Sequence, residues 1–160
     1  MRIFVLAVGR MKAGPERELL ERYVKRIAAL APNLGLAPLE WRELDESRAR
    51  QTETRRADEA KALLAAIPKG AVIVALDERG RSPGSEAFAA EIAKLRDGAA
   101  PALVFVIGGP DGLDDNLRGA ARLLISFGAM TWPHQLVRVM LGEQIYRACS
   151  ILAGHPYHRE

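Results

Sequence analysis

The last residues of the chain carry three side chains that can move a proton or hold a charge. Tyr157, His158 and Arg159 follow one another directly and place a phenol, an imidazole and a guanidinium side by side. An imidazole can accept a proton near neutral pH, and a guanidinium can stabilise an anion that forms during a reaction. Segments that only end a fold are usually featureless, so these are candidate catalytic residues. The alternative is that the tail caps the last helix and covers a subunit interface.

A glycine-rich turn is the second feature that suggests a site. Gly108-Gly109-Pro110-Asp111-Gly112 directly follows an apolar stretch, and glycine allows positive φ angles and close approach of the backbone to a ligand. The alternative is a tight turn whose glycines serve only sterics. The turn lacks the Lys-Ser/Thr pair of a phosphate-binding loop, and no Gly-x-Gly-x-x-Gly pattern follows the first apolar stretch. A phosphate-ester enzyme and a nicotinamide dinucleotide fold are therefore disfavoured.

A third turn, residues 128–134, leads into the last apolar helical pattern. Pro133 disfavours helical geometry at Trp132 and is typical of a helix start, which places His134 in the first helical turn. His134 is either a functional residue or simply a polar residue of that turn. Arg138, close to the helix start, is a candidate for binding an anion such as an RNA phosphate.

Other polar residues have ordinary explanations. Glu143 and Arg147 stand four residues apart, which is the spacing of a helical ion pair. His155 and His158 stand three apart, but no cysteine or clustered carboxylate supplies the other ligands that zinc requires, so we expect no metal site. The charged stretch 45–58 is expected to be solvated, and its role is undecided.

Apolar stretches alternate with helical patterns along the whole chain, and this order predicts the fold. Predicted strands are 3–8, 39–44 (an edge strand), 71–76, 102–107 and 123–127. Predicted helices are 15–30, 47–67, 85–95, 113–121 and 134–153. Five strand–helix units predict an α/β three-layer sandwich with a mostly parallel sheet. Since no linker or repeat interrupts them, we expect a single domain over residues 1–160.

Composition and charge fit a globular chain. The 160 residues are 49% apolar with a formal net charge of +3, which leans only mildly toward polyanions. The apolar start is too short for a signal peptide, and no run reaches the ~18 residues of a membrane span. We therefore expect a cytoplasmic protein with no membrane partner. Cys149, the only cysteine, is expected to be a buried structural thiol.

The last predicted helix is apolar on more than one side. One sheet face does not need that much apolar surface, and such an excess commonly marks an obligate interface. We expect a two-fold homodimer that buries this helix and brings the tail of one subunit near the pocket of the other.

An ordered set of motifs resembles the RlmH (YbeA-like) family of SPOUT methyltransferases. The motifs run from one end of the chain to the other, over residues 6–12, 74–77, 108–112, 130–138 and 157–159. Each motif alone is weak, but their order is specific. The match is loosest over residues 45–54.

The resemblance implies a homodimeric α/β fold with a C-terminal trefoil knot. It also implies transfer of a methyl group from S-adenosylmethionine, which becomes S-adenosylhomocysteine, to N3 of a pseudouridine in 23S ribosomal RNA on the assembled ribosome. Carried over position by position, the cofactor-binding residues are Leu76, Gly108, Phe127, Gly128, Ala129, Met130, Thr131 and Trp132. We expect a bulky residue at Gly108 to abolish ligand binding and leave the fold largely intact.

The implied reaction gives the tail a chemical role. The sulfonium is already an activated donor, but N3–H of the acceptor must lose a proton, which requires a base or a cation that stabilises the anion. Tyr157, His158 and Arg159 offer both. The alternative is a non-catalytic nucleotide- or RNA-binding module that uses the same turns only to hold a ligand.

Overall fold

The computed structural model describes residues 1–158, so Arg159 lies outside the described residues. Along the chain the strands are β1 Arg2–Val8, β2 Glu40–Leu44, β3 Val72–Arg81, β4 Ala102–Ile107 and β5 Leu123–Ile125. The helices are α1 Pro15–Leu30, α2 Thr52–Ala66, α3 Ser85–Asp97, α4 Asp115–Ala120 and α5 His134–Leu152, with a short 3-10 helix Ala31–Leu34 after α1. No helix within these residues is long and apolar enough to cross a membrane.

The five strands form one sheet in the order β2-β1-β4-β3-β5, and every pair of neighbours is parallel. In the centre, Val5 of β1 pairs with Trp41 on one side and Phe105 on the other. The strand predicted at an edge, β2, is at an edge. Parallel strands place their carboxyl ends along one edge of the sheet, where the following loops can form a site.

Helices cover both faces of the sheet. On β1, alternate residues point to opposite faces: Ile3 and Val5 pack into one cluster with residues of α1, α3 and α5, whereas Phe4 and Leu6 pack into a second with residues of α2 and α4. The predicted α/β three-layer sandwich with a parallel sheet is confirmed. The trefoil knot and the single-domain boundaries stay predictions.

Cys149 lies on α5 within the first cluster and is 1% exposed. Burial raises the pKa of its thiol to about 11, so the thiol is protonated and unreactive at neutral pH. The prediction of a buried structural cysteine is confirmed.

Two element boundaries differ from the sequence prediction for local reasons. α2 begins at Thr52 rather than at Ser47, because the Ser47 hydroxyl accepts a hydrogen bond from the backbone N–H of Ala49, a local contact that competes with helix formation. β3 continues to Arg81, where a register shift lets it pair again with Ile125 of β5. The extension carries residues 77–81 past the carboxyl edge of the sheet.

Candidate active site

A cavity of about 430 Å³ opens at the carboxyl edge of the sheet, between β3, β4 and β5 and the loops that follow them. Its volume is within the usual range for small-molecule sites. The structure brings together all eight residues that the resemblance assigned to the cofactor, since each lines this cavity: Leu76, Gly108, Phe127, Gly128, Ala129, Met130, Thr131 and Trp132. His134, at the start of α5, also lines it.

The loop after β5 is shaped by its own hydrogen bonds. The Ser126 hydroxyl accepts from the backbone N–H of Gly128, whose φ of +104° favours glycine, and the Trp132 indole N–H donates to the carbonyl of Phe127 at 3.3 Å. Met130, in the middle, is 76% exposed. A loop whose ends are fixed and whose apolar tip is exposed suits contact with a ligand or a second subunit.

Gly108 has no room for a side chain even without a ligand. A Cβ there would lie 2.8 Å from the Leu113 side chain and 3.1 Å from the backbone of Gly112. Gly108 therefore fits both interpretations of the glycine-rich turn: it lines the cavity, as a ligand contact requires, and its turn is packed too tightly for a side chain. A bulky residue therefore also requires the Leu113 side chain or the Gly112 backbone to shift, and the expectation that the fold stays largely intact stays a prediction.

Asp77, directly after the buried part of β3, is a wall residue that the sequence analysis missed. Its carboxylate accepts from Arg118 Nε at 2.6 Å and from the backbone N–H of Arg79 at 3.0 Å. Burial alone would raise the pKa of Asp77, but these two hydrogen bonds outweigh it and lower the pKa. The position of an acidic residue right after a buried strand was the signal available in the sequence.

The charged stretch 45–58 holds the glycine-rich turn in place. Arg55 donates to both carboxylate oxygens of Asp111, at 2.6 and 3.1 Å, and also to the backbone carbonyls of Ala49 and Arg50. Planar two-point pairing of this kind fixes orientation as well as distance. The expectation that this whole stretch is solvated is therefore wrong at Arg55.

Glu59 on α2 packs against the same glycine-rich turn. It is 5% exposed, and one carboxylate oxygen accepts from the backbone N–H of Ser47 at 3.0 Å. Its other carboxylate oxygen lies close to Gly109, and a Cβ added at Gly109 would be only 2.7 Å from that oxygen. Burial raises the pKa of Glu59, and the hydrogen bond from Ser47 offsets this only in part.

Replacing Glu59 by glutamine is expected to preserve or increase stability at pH 7. A carboxyl whose pKa is higher in the folded than in the unfolded state stabilises the fold while it is protonated. This stabilisation is lost as the pH rises from the pKa of the unfolded state, about 4.3, through the pKa of the folded state. Glu59→Gln keeps the acceptor for Ser47 and cannot ionise. Urea unfolding should show a smaller loss of stability between pH 4 and 7 than in the wild type. A Glu59→Gln variant clearly less stable than the wild type at pH 7 would contradict the inference that folding raises the pKa of Glu59.

The tail packs against the second half of α5. The Tyr157 hydroxyl donates to a carboxylate oxygen of Glu143 at 3.1 Å, and its ring meets Tyr146 edge-on with the centroids 4.7 Å apart. Arg147 lies over the ring of Tyr157 at 4.9 Å and pairs with Glu143 at 2.6 Å, as its spacing predicted. His158 lies between Arg147 and Glu86 of α3, with nitrogen–nitrogen and nitrogen–oxygen distances of 3.5 and 3.6 Å.

The surroundings of Tyr157 make its phenol a poor base. Burial raises the pKa of Tyr157, and a hydrogen bond with Tyr23 and the nearby Glu143 carboxylate raise it further. The hydroxyl therefore remains a hydrogen-bond donor at neutral pH. Among the described tail residues, this leaves the imidazole of His158 as the better candidate for accepting a proton.

Within one chain the tail and the cavity do not meet. Neither Tyr157 nor His158 lines the cavity, which touches the start of α5, whereas the tail follows its end. A helix of 19 residues is roughly 28 Å long. The described tail residues thus pack against the middle and second half of α5, at Glu143 and Arg147, whereas the cavity lies at its start.

Arg138 is buried rather than exposed to RNA. Arg138 is 4% exposed, and its guanidinium donates to the carbonyls of Val8 and Gly9 and to a carboxylate oxygen of Glu43. These contacts tie α5 to the ends of β1 and β2. The sequence-based assignment of Arg138 to RNA binding is therefore not supported, because its side chain is buried and both terminal nitrogens bond acceptors inside the fold.

Arg138→Met is expected to lower the free energy of unfolding by about 3 kcal/mol, since it removes the donor to the carbonyls of Val8 and Gly9 and the cation that pairs with Glu43. Urea denaturation measures this directly. Arg22→Met, which replaces an exposed arginine of α1, is the matched control and should change stability by less than about 0.5 kcal/mol. If Arg138→Met kept wild-type stability and impaired only ribosome binding, the original assignment of Arg138 to RNA binding would be correct.

Residues 1–158 contain no group of three or more His, Cys, Asp or Glu residues placed to hold a metal ion. His155 is exposed, and its Nδ1 accepts a hydrogen bond from the backbone N–H of Tyr157 at 3.2 Å. Its role in the described chain is thus to shape the tail.

The fold and the cavity together define a class of protein. A parallel α/β sheet with a glycine-rich turn and a second irregular loop around one cavity at its carboxyl edge is typical of proteins that bind nucleotide-like ligands. A family model described as "Predicted SPOUT methyltransferase" matches residues 1–158. The chain belongs to the SPOUT methyltransferase family, whose enzymes use S-adenosylmethionine, and the predicted family and enzyme class are confirmed.

Curated relatives are similar to this chain over nearly its whole length. A "Ribosomal RNA large subunit methyltransferase H" from Rhodopseudomonas palustris is 58% identical over 99% of this chain and 99% of the relative. The protein of the same name from Xanthobacter autotrophicus is 57% identical with the same coverage. Among solved structures, the SpoU methyltransferase AviRb from Streptomyces viridochromogenes is 16% identical, with a TM-score of 0.41 over 96% of this chain and 60% of that chain. That likeness is too distant to carry an argument.

Proposed function

We propose that this chain transfers a methyl group from S-adenosylmethionine to N3 of a pseudouridine in 23S ribosomal RNA, on the assembled ribosome in the cytoplasm. The single observation that carries the proposal is the cavity in which all eight expected cofactor residues converge. The similarity to full-length relatives named ribosomal RNA large subunit methyltransferase H supports the substrate class.

The lining of the cavity suits the cofactor. An adenosine has flat apolar faces and polar edges, which the side chains of Leu76 and Phe127 and the backbone of the loop after β5 can contact. Gly108 and Gly109 line the cavity and have no side chain there, so the backbone of the turn can approach a ligand. S-adenosylmethionine supplies the activated methyl group, and the protein has to hold it and exclude water.

The tail is proposed to act on the acceptor. N3–H loses its proton as the methyl group arrives, and the imidazole of His158 accepts it directly or through a water molecule. Arg147, 3.5 Å from His158, and Arg159 are cations that can stabilise the uracil anion. Tyr157, which keeps its proton, positions the tail through its hydrogen bond to Glu143.

A homodimer would join the two halves of the site. Large apolar side chains are exposed around the start of α5, namely Met130, Trp132 and Leu136, and burying them against a second copy removes an apolar patch from water. A two-fold arrangement of this kind places the tail of one subunit at the cavity of its partner. His134, exposed at the rim of the cavity, is then in a position to contact the RNA.

Methyl transfer from labelled S-adenosylmethionine tests the proposal. The protein is incubated with ribosomes, with separated subunits and with naked ribosomal RNA, and the label is mapped by nuclease digestion and mass spectrometry. We expect label at N3 of one pseudouridine of the large-subunit RNA, with assembled ribosomes as the best substrate. Binding of S-adenosylhomocysteine without any transfer would favour the alternative, a non-catalytic binding module.

A further inference from the structure

Two neighbouring arginines of α2 differ sharply in what they contact. Arg55 is fully engaged with Asp111 and with acceptors of its own helix start. Arg56 instead lines the cavity beside the glycine-rich turn. Its Nε is shielded from solvent without a hydrogen-bond partner, and its guanidinium forms no ion pair within residues 1–158.

An unpaired and partly desolvated guanidinium is costly unless an acceptor arrives from elsewhere. The neighbouring carboxylate of Asp111 does not fill this role. Its pKa is lowered first by the hydrogen bond from Arg55, and the charge of Arg56 contributes only through space. Asp111 is thus bound by one arginine, and the other still lacks an acceptor.

A cofactor in this cavity offers one group that matches. The adenine and ribose of S-adenosylmethionine are neutral, whereas the methionine part ends in an α-carboxylate, and guanidinium pairs with carboxylate in a planar two-point geometry. An RNA phosphate would approach from the open rim of the cavity. Arg56 lines the cavity itself, beside the glycine-rich turn, and this position favours a small group that enters the cavity.

We propose that Arg56 binds the α-carboxylate of the methionine part of S-adenosylmethionine. This inference rests on the proposed function and adds an orientation for the ligand. The amino-acid end points to α2 and residues 109–112, and the adenosine lies toward the loop 127–132 at the other side of the same cavity. Arg56 thereby selects ligands that carry the amino-acid part over those that carry the nucleoside alone.

Calorimetry with two ligands isolates this contact. S-adenosylhomocysteine carries the carboxylate, whereas 5′-methylthioadenosine keeps the adenosine and the thioether but lacks the amino-acid part. Arg56→Gln should weaken binding of S-adenosylhomocysteine by about tenfold or more and leave binding of 5′-methylthioadenosine unchanged. Arg56→Lys should recover part of the loss. Arg48→Gln, an exposed arginine outside the cavity lining, is the matched control and should bind both ligands like the wild type.

Two outcomes would overturn the assignment. Unchanged affinity of Arg56→Gln for S-adenosylhomocysteine would exclude the contact, and a higher KM for ribosomes alongside it would assign Arg56 to RNA. An equal loss for both ligands would indicate general damage to the cavity, which circular dichroism of the variant would report. Failure of the proposed function looks different, because the wild-type protein itself would then bind neither ligand.

Discussion

Truncation after Gly154 is expected to reduce methyl transfer to ribosomes by ~100-fold or more, because it removes the imidazole proposed to accept the N3 proton. It also removes the packing of Tyr157 on Tyr146 and the hydrogen bond to Glu143. We therefore expect a stability loss of about 1–2 kcal/mol from truncation. His158→Ala isolates the chemistry, since Tyr157 stays in place, and should lower the single-turnover rate by a similar factor.

The control for this prediction lies in the same segment. His155→Ala removes an exposed imidazole that is not proposed to react and should retain most of the activity. All these variants should bind S-adenosylhomocysteine with nearly wild-type affinity, because the tail is proposed to act on the RNA acceptor and not to hold the cofactor. If His158→Ala methylates ribosomes at the wild-type rate, the tail is structural and its catalytic assignment fails. Arg159→Ala is predicted from the sequence alone to behave like His158→Ala.

Gly108→Val is expected to weaken binding of S-adenosylhomocysteine by ~100-fold or more and to abolish methyl transfer with it. The new side chain meets Leu113 and the backbone of Gly112, so the turn must move and can no longer present its backbone to the ligand. Overpacking of this kind costs about 1–3 kcal/mol of stability. Calorimetry gives the affinity, and urea denaturation shows whether the variant is folded under the conditions of the binding measurement.

Gly119→Val is the matched control for that substitution. Gly119 lies on α4, and a Cβ there would have no atom within 4 Å. The control should bind S-adenosylhomocysteine like the wild type and should transfer methyl groups normally. A folded Gly108→Val that binds the ligand with full affinity would show that the glycine-rich turn does not contact the cofactor.

The sequence was sufficient for the features that depend on local pattern. The buried strand 102–107 and the helix 15–30 were predicted with the bounds that the structure has, since continuous apolar runs and helical periodicity are each local signals. The loops that follow buried strands could be assigned to one edge because parallel strands share a direction. The residues Leu76, Gly108 and Met130 were assigned to the cofactor through the family resemblance, and the structure places them around one cavity at that edge.

Long-range polar contacts were beyond a local reading. Arg138 and Arg56 each looked like a surface cation in the sequence, and only the fold shows that Arg138 bonds the ends of β1 and β2 whereas Arg56 lines the cavity. The same holds for Glu59, whose helical neighbours give no sign that its carboxylate is buried beneath Gly109. Such roles depend on which helices, strands and loops pack together, and a local sequence pattern does not show contacts between residues that are far apart in the chain.

Complementation between two inactive variants tests the central claim most directly, namely that a cavity on one chain and a tail on another form one methyltransferase site. Gly108→Val retains a normal tail, and His158→Ala retains a normal cavity. When the two are co-expressed and purified together through different affinity tags, each mixed dimer has one intact site made from the two normal parts. Purification through both tags leaves only mixed dimers, each with one intact site of two, so they should have about half of the wild-type activity, although each variant alone is nearly inactive. A mixed dimer as inactive as its parents would contradict the account.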